Sequence, residues 1–127
     1  MLRVEREAGV TEIDVLLAGI AVRDFDRAVD WYARLLGRPA DLIVKDDEVM
    51  WRFADHAWMY VVRDEQRAGH ALVALAVAAL DKTVAHIEGR GITGRPIELV
   101  GDAGRKATFT DSDDNTVSFI EVRTPTD

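Results

Sequence analysis

The strongest constraint on the fold is that the chain is written twice. Ile20-Ala21-Val22-Arg23-Asp24-Phe25-Asp26-Arg27-Ala28-Val29 returns 55 positions later as Leu75-Ala76-Val77-Ala78-Ala79-Leu80-Asp81-Lys82-Thr83-Val84. Each copy runs from an apolar strand into an amphipathic helix, so the chain reads as two copies of one supersecondary unit. The correspondence continues: Arg38-Pro39-Ala40-Asp41-Leu42-Ile43-Val44 answers to Arg95-Pro96-Ile97-Glu98-Leu99-Val100, and Phe53-Ala54-Asp55 to Phe109-Thr110-Asp111. A turn and a last apolar strand follow each aspartate, Trp58 to Val62 in one half and Thr116 to Val122 in the other. Each half is therefore expected to be strand, helix, then three strands. Module 1 covers about residues 13–62 and module 2 about 70–122, in one domain spanning 1–127. A chain of 127 residues is long enough to bury roughly 65–70% of the surface it exposes unfolded.

The first helix places Phe25, Ala28, Val29, Tyr32, Leu35 and Leu36 on one face, with Asp24 as N-cap and Gly37 where a left-handed residue ends a helix. The second has Leu80, Val84 and Ile87 before Gly89-Arg90-Gly91, but Ala79 stands at its cap position. The strands ahead of the helices alternate. Leu16, Ala18, Ile20 and Val22 are expected to face the helix, which leaves Leu17, Gly19 and Ala21 on the opposite face. In the second copy Val73, Leu75 and Val77 take the helix side, and Leu72, Ala74 and Ala76 the other.

Several function classes are excluded by composition. The chain carries 16 basic and 23 acidic residues, a net charge of −7, with no basic stripe, which makes nucleic acid a poor partner. It has no cysteine, so no disulfide or thiol nucleophile is available, in agreement with a reducing compartment. The apolar run Val15 to Val22 is far short of the ~20 residues that span a membrane, and it follows an acidic start. Neither a span nor a signal peptide is expected, and a cytoplasmic location is the default. No Gly-x-Ser-x-Gly elbow is present. Gly101-Asp102-Ala103-Gly104-Arg105-Lys106 resembles a phosphate loop, but no helix pattern follows it. It reads better as a mobile connection over a cavity mouth. His56, His70 and His86 lie too far apart in sequence to suggest one metal site.

The segment Val22-Arg23-Asp24-Phe25-Asp26-Arg27-Ala28-Val29-Asp30-Trp31-Tyr32, the helix-ending Leu35-Leu36-Gly37, and the closing Thr110-Asp111-Ser112-Asp113-Asp114-Asn115-Thr116-Val117 resemble the glyoxalase / bleomycin-resistance / dioxygenase superfamily, also called vicinal oxygen chelate. The resemblance extends from about Ile13 to Val122. It implies an α+β fold in which two βαβββ modules form a curved mixed sheet, a cup, with helices on the convex side and a ligand in the concave interior. Many members pair into homodimers, and some build each cup across the subunit interface. Metal-dependent members carry a His on the first strand of a module and a Glu on the last. Matched residue by residue, the His positions fall on Leu17 and Leu72 and one Glu position on Ser118, and Trp58-Met59-Tyr60-Val61-Val62 offers no acid. The resemblance therefore implies no metal and no cofactor, since Leu has no lone pair and a lone Ser hydroxyl is a poor ligand. Asp114 stands where the family pattern has a glycine suited to positive φ, a conformation aspartate tolerates.

The aromatic residues supply the positive clue. Trp51, Trp58 and Tyr60, with Phe53 and Met59, crowd the last two strands of module 1, and alternation leaves open which of them belong to the core. Those that do not are candidates to wall an apolar cavity for planar or cationic ligands. The candidate ligand-binding set is Leu17, Gly19, Trp51, Trp58, Tyr60, Leu72, Ala74, Thr116, Ser118 and Ile120, with Arg52 and Arg105 as candidate rim charges. No catalytic residue is assigned. The leading expectation is a metal-independent, homodimeric binder of a small apolar, aromatic or cationic molecule, of the antibiotic-sequestering kind. The alternative is an enzyme: a glyoxalase-like lyase or dioxygenase with relocated metal ligands, or a metal-free isomerase using Glu48 or His56 with Tyr60. A cup plugged by its own side chains is the third.

Overall fold

A computed structural model describes residues 12–122. Strand β1 (Leu16–Val22) leads into helix α1 (Phe25–Leu36), followed by β2 (Leu42–Lys45), β3 (Glu48–Ala54) and β4 (Ala57–Arg63). The pattern then repeats as β5 (Leu72–Ala76), α2 (Leu80–Gly89), β6 (Glu98–Val100), β7 (Gly104–Thr110) and β8 (Thr116–Val122). Each copy makes its own four-stranded sheet, ordered β1-β4-β3-β2 and β5-β8-β7-β6. The first strand pairs parallel with the last, and the remaining pairs are antiparallel.

Helix α1 starts where Asp24 accepts a hydrogen bond from the Arg27 amide at 3.2 Å, and it stops at Gly37, whose φ of 78° frees its amide to bond Ala33 O. Its buried residues, Ala28, Tyr32 and Leu35, fall four and three apart, the stripe that the 3.6-residue period brings onto one face. Ala79 caps α2 with no side-chain bond. A substitute arrives from another element, because the Glu121 carboxylate on β8 accepts from the Leu80 amide at 2.9 Å. Arg105 holds that carboxylate in place at 2.8 Å and reaches Asp81 in the first turn of α2 at 3.1 Å.

One core serves both modules. Ile20, Tyr32, Trp51 and Met59 from the first copy and Leu80, Ile87, Phe109 and Phe119 from the second belong to a single buried cluster, and α1 touches α2. The core thus lies on the helix sides of the two sheets.

A buried polar junction locks the modules together. Asn115, fully buried, donates from Nδ2 to Ala21 O at 2.8 Å and to Asp111 at 3.0 Å, while its Oδ1 accepts from the Gly69 and Ala71 amides. Asp111 also accepts from the Tyr32 hydroxyl at 2.7 Å. Asp113 accepts from the amide and guanidinium of Arg23, and Arg23 reaches Ala68 O. Asp114, at the tip of this turn, has φ 76° and is the one non-glycine residue with positive φ among the described residues.

The segment from Gly101 to Lys106 does not form a connection over a cavity mouth. Residues 101–103 make a tight hairpin turn, and Gly104 begins β7 directly. Gly101 supplies the turn with φ 60°. Among the described residues no helix is long and apolar enough to cross a membrane.

Candidate functional site

Strand register decides which candidate residues are exposed to a ligand. Across β1 and β4, Leu17 pairs with Trp58, Gly19 with Tyr60 and Ala21 with Val62. Ile20, Val22, Met59 and Val61 alternate with these and are buried in the core. Trp58, Tyr60 and Val62 therefore share the open face of the first sheet with Leu17 and Gly19, an assignment that alternation alone left open. In the second sheet Leu72 pairs with Thr116, Ala74 with Ser118 and Ala76 with Ile120, while Val117 and Phe119 are buried beneath. Leu72, Ala74, Thr116, Ser118 and Ile120 thus share the other open face.

Trp51 does not belong to either open face. It pairs with Met59 on β4, is fully buried, lies 6.4 Å from the Tyr32 ring, and donates its indole N–H to Arg38 O at 3.0 Å. Burial beside Tyr32 of α1 makes it a core residue.

Both faces expose apolar side chains, but Ser118 and Thr108 on the second face are buried. Leu72 is 85% exposed and Leu17 50%, unusual for leucines facing the same way as their neighbours. Because the common core joins the helix sides of the sheets, the open faces turn away from that core. Within one protomer the candidate residues other than Trp51 lie on two separate sheet faces.

Polar groups on these faces are few, and several are already engaged. The Arg52 guanidinium sits 5.8 Å from the centre of the Trp58 ring and pairs with Asp55, so it does lie beside the candidate aromatic wall. Arg105, the other proposed rim charge, is on the helix side, clamped between Asp81 and Glu121. Both carboxylates raise its affinity for its proton, Asp81 first. Glu121 caps α2 and pairs with Arg105 on that same side. On the second sheet the Thr108 and Ser118 hydroxyls bond each other at 2.9 Å, and Lys106 meets Glu98 at 3.3 Å. No hydrogen bond links Glu48 or His56 to Tyr60, and His56 is engaged with Asp14 O at 2.8 Å. His56, His70 and His86 are all exposed and stand on different elements. Among the described residues no group of three His, Cys, Asp or Glu side chains is placed to hold a metal ion.

A concavity on the open face of the first sheet was not legible in the sequence. It measures about 560 Å³ and is floored by Gly19, Ala21, Tyr60 and Val62, with Gln66 and His70 of the intermodule linker as its rim. The linker stands there because Asn115, far away in sequence, holds the Gly69 and Ala71 amides. No local pattern in residues 64–71 announces that bond.

Two four-stranded mixed sheets, each built from a βαβββ unit and backed by its own helix, define the architecture of a known class of small α+β domains. The family model of the Glyoxalase/Bleomycin resistance protein/Dioxygenase superfamily matches residues 13–119, and the chain belongs to that superfamily. Among solved structures it is similar to a glyoxalase / bleomycin resistance protein from Catenulispora acidiphila, at 33% identity and a TM-score of 0.81, over 86% of this chain and 98% of that one. TnmS3, an antibiotic binding protein from Streptomyces sp. CB03234, superimposes with a TM-score of 0.69 at 19% identity, over 92% of this chain and all of that one (100%). A lactoylglutathione lyase from Agrobacterium tumefaciens gives 0.70 at 14% identity, over 84% and 92%. The last two share the fold with this chain and leave its chemistry open. Comparison with curated proteins yields no match.

Proposed function

We propose that this protein is a metal-independent, homodimeric binder of a small organic molecule with an aromatic portion, of the antibiotic-sequestering kind. The observation that carries the proposal is the pair of open apolar faces, with Leu17 and Leu72 exposed and hydrocarbon or hydroxyl groups wherever a metal site would need imidazole or carboxylate. Each face supplies half of a ligand cavity. A second copy, laid with its Leu72 face over the Leu17 face of the first, buries both leucines and encloses the ligand between an aromatic wall, Trp58 and Tyr60, and a wall of small and hydroxylated residues, Ala74, Thr116, Ser118 and Ile120. Arg52 already occupies a cation's place beside Trp58, which favours aromatic over cationic ligands. The likeness to TnmS3, an antibiotic binding protein, supports the choice of ligand class. The soluble interior of the cell is the compartment this composition suits.

The test combines sedimentation, elemental analysis and fluorescence on the purified protein. A dimer without stoichiometric divalent metal, whose tryptophan emission is quenched saturably by planar aromatic antibiotics, is expected. Quenching is read in a Trp31→Phe background, where Trp58 is the reporter on the open face and Trp51 is fully buried. Stoichiometric zinc, nickel or iron in the purified protein overturns the proposal in favour of a lyase or dioxygenase with relocated ligands.

A further inference from the structure

The seam between the two modules is plugged at one end and hollow at the other. Strand register relates the two ends: the pairs Leu17 with Trp58 and Ala21 with Val62 in the first sheet correspond to Leu72 with Thr116 and Ala76 with Ile120 in the second. Asn115, one residue ahead of Thr116, therefore has Ala57 as its counterpart, one residue ahead of Trp58. The carbonyl to which the Asn115 amide donates at 2.8 Å, Ala21 O, has Ala76 O as its counterpart. Ala57 has no group that could reach across. Where the first end holds a carboxamide, the second holds a cavity of about 440 Å³.

Hydrocarbon dominates its walls, which come from Leu36, Phe53 and Ala57 of the first module and from Leu75, Val77 and Phe119 of the second. Arg38 also lines it, but spends its guanidinium on Asp41 at 3.0 Å and on Arg52 O. The remaining polar feature is the free edge of β5. Ala71 O and Val77 N bond Thr116 and Ile120 of β8, so alternation turns the Ala76 carbonyl the other way, toward the edge that no strand pairs with among the described residues. The acceptor half of the Asn115 role is already filled at this end. Ala71 donates to the Asn115 side chain, whereas its counterpart Leu16 donates to His56 O at 2.9 Å. The amides of Ala74 and Ala76 face the same edge as the carbonyl, yet at the first end the side chain seated in this place meets the Ala21 carbonyl and not the Ala21 amide. A carbonyl accepts and never donates. What the second end lacks is a donor.

We infer that the cavity is a second ligand site, for a compact and mostly hydrocarbon molecule with one O–H or N–H group, whose donor takes the place on Ala76 O that the Asn115 amide takes on Ala21 O. Ala74 and Ala76 are its only lining residues on an open sheet face. It needs one protomer and no aromatic ligand, and it stands apart from the two-copy cavity.

The test uses cyclohexanol and cyclohexanone, which match in size while only the alcohol donates, read by amide chemical shifts in the isotope-labelled full chain. Neither ring stacks on Trp58 as a planar aromatic does. Saturable shifts with cyclohexanol are expected at Leu36, Phe53, Ala57 and Ala76. Cyclohexanone should bind about fivefold more weakly, because it covers the carbonyl without offering it a hydrogen. Ala57→Asn, which seats a carboxamide as at the other end, should abolish cyclohexanol binding and raise the midpoint of denaturant unfolding. Ala57→Leu should abolish binding by filling the space alone. Position 57 is half-buried at the start of β4, so both variants should fold; the comparison of alcohol with ketone in the wild-type protein needs neither. Equal or tighter binding of cyclohexanone, no saturable shift at the seam, or unchanged cyclohexanol affinity in the two folded variants overturns the inference. Shifts confined to Trp58, Tyr60 and Ser118 overturn it while sparing the two-copy cavity. Seam shifts in a protein whose tryptophan emission no aromatic antibiotic quenches uphold it and count against the proposed function alone.

Discussion

Asn115 is the residue on which the relation between the modules depends. Its amide spends both donors and its acceptor across the junction: on Ala21 O in the first sheet, Asp111 in the second, and two linker amides. Asn115→Ala leaves those linker amides and the Ala21 carbonyl without their partner at a part-buried junction, and a loss of about 2 kcal/mol is expected in denaturant unfolding, since an orphaned buried group costs roughly 1–3 kcal/mol and a part-buried one less. Tyr32 reports on the same junction through pH. Burial, and after it the Asp111 carboxylate, push its phenol well above the ordinary tyrosine value. An acid raised in the folded state keeps its proton there while the unfolded chain loses it, so the stability tied to Tyr32 is complete below a pH of about 10 and is lost as pH rises beyond. Wild-type protein should therefore lose about 1.4 kcal/mol per pH unit above that point relative to Tyr32→Phe. Near neutrality Tyr32→Phe should itself be less stable by about 2 kcal/mol, the worth of a buried bond to a carboxylate. Parallel curves for the two proteins between pH 9 and 11 would show that the phenol is not so placed. Asp114 was legible in advance as a positive-φ aspartate because its turn lacks the expected glycine, whereas the bonds of Asn115 to the linker span 44 and 46 residues and leave no local trace.

At the scale of elements, the two halves show how much a repeat reveals and where it stops. The order strand, helix, three strands could be read twice, because hydrophobic period and turn residues recur in both copies. The missing N-cap at Ala79 was visible too, but its remedy was not, since Glu121 caps α2 from a strand 41 residues away. Glu121→Ala should cost about 1 kcal/mol or more, the usual worth of a cap, and should release Arg105 as well. Ala79→Ser, which offers a local cap, should raise stability by about 0.5–1 kcal/mol, measured as a shift of the unfolding midpoint at constant slope. In β3 the parity of Trp51 was obscured by apolar residues on both faces. A signal did exist: Glu48 and Arg52 share one parity with Met50, which leaves Val49 and Trp51 for the core, while Phe53, at the irregularity between Arg52 and Ala54, is exposed. The same rule fails on β4, where Trp58 through Val62 are apolar without exception, and only pairing with β1 separates Tyr60 from Met59 and Val61.

The whole molecule poses a question of closure. Its core holds the helix sides of both sheets together, and its candidate ligand residues are left on two surfaces that no single protomer unites. In the proposed dimer the exposed leucines on both surfaces are covered twice, the first sheet of each copy lying on the second sheet of the other. Two equivalent cavities then result, each drawing one wall from each chain. Such an arrangement makes a prediction that a cavity internal to one chain does not. Trp58→Glu damages one wall and Ala74→Glu the other, so in either homodimer every cavity carries a lesion and binding of a planar aromatic antibiotic is lost. When the two variants are mixed and allowed to exchange, about half of the dimers are mixed, and each of these has one cavity with both lesions and one with neither. About a quarter of wild-type binding capacity should return, with wild-type affinity, in a fluorescence titration of the exchanged mixture. No recovery from variants that still dimerise would mean that each chain holds its ligand alone. The shared-wall arrangement would then be wrong even though every strand in it is correctly placed.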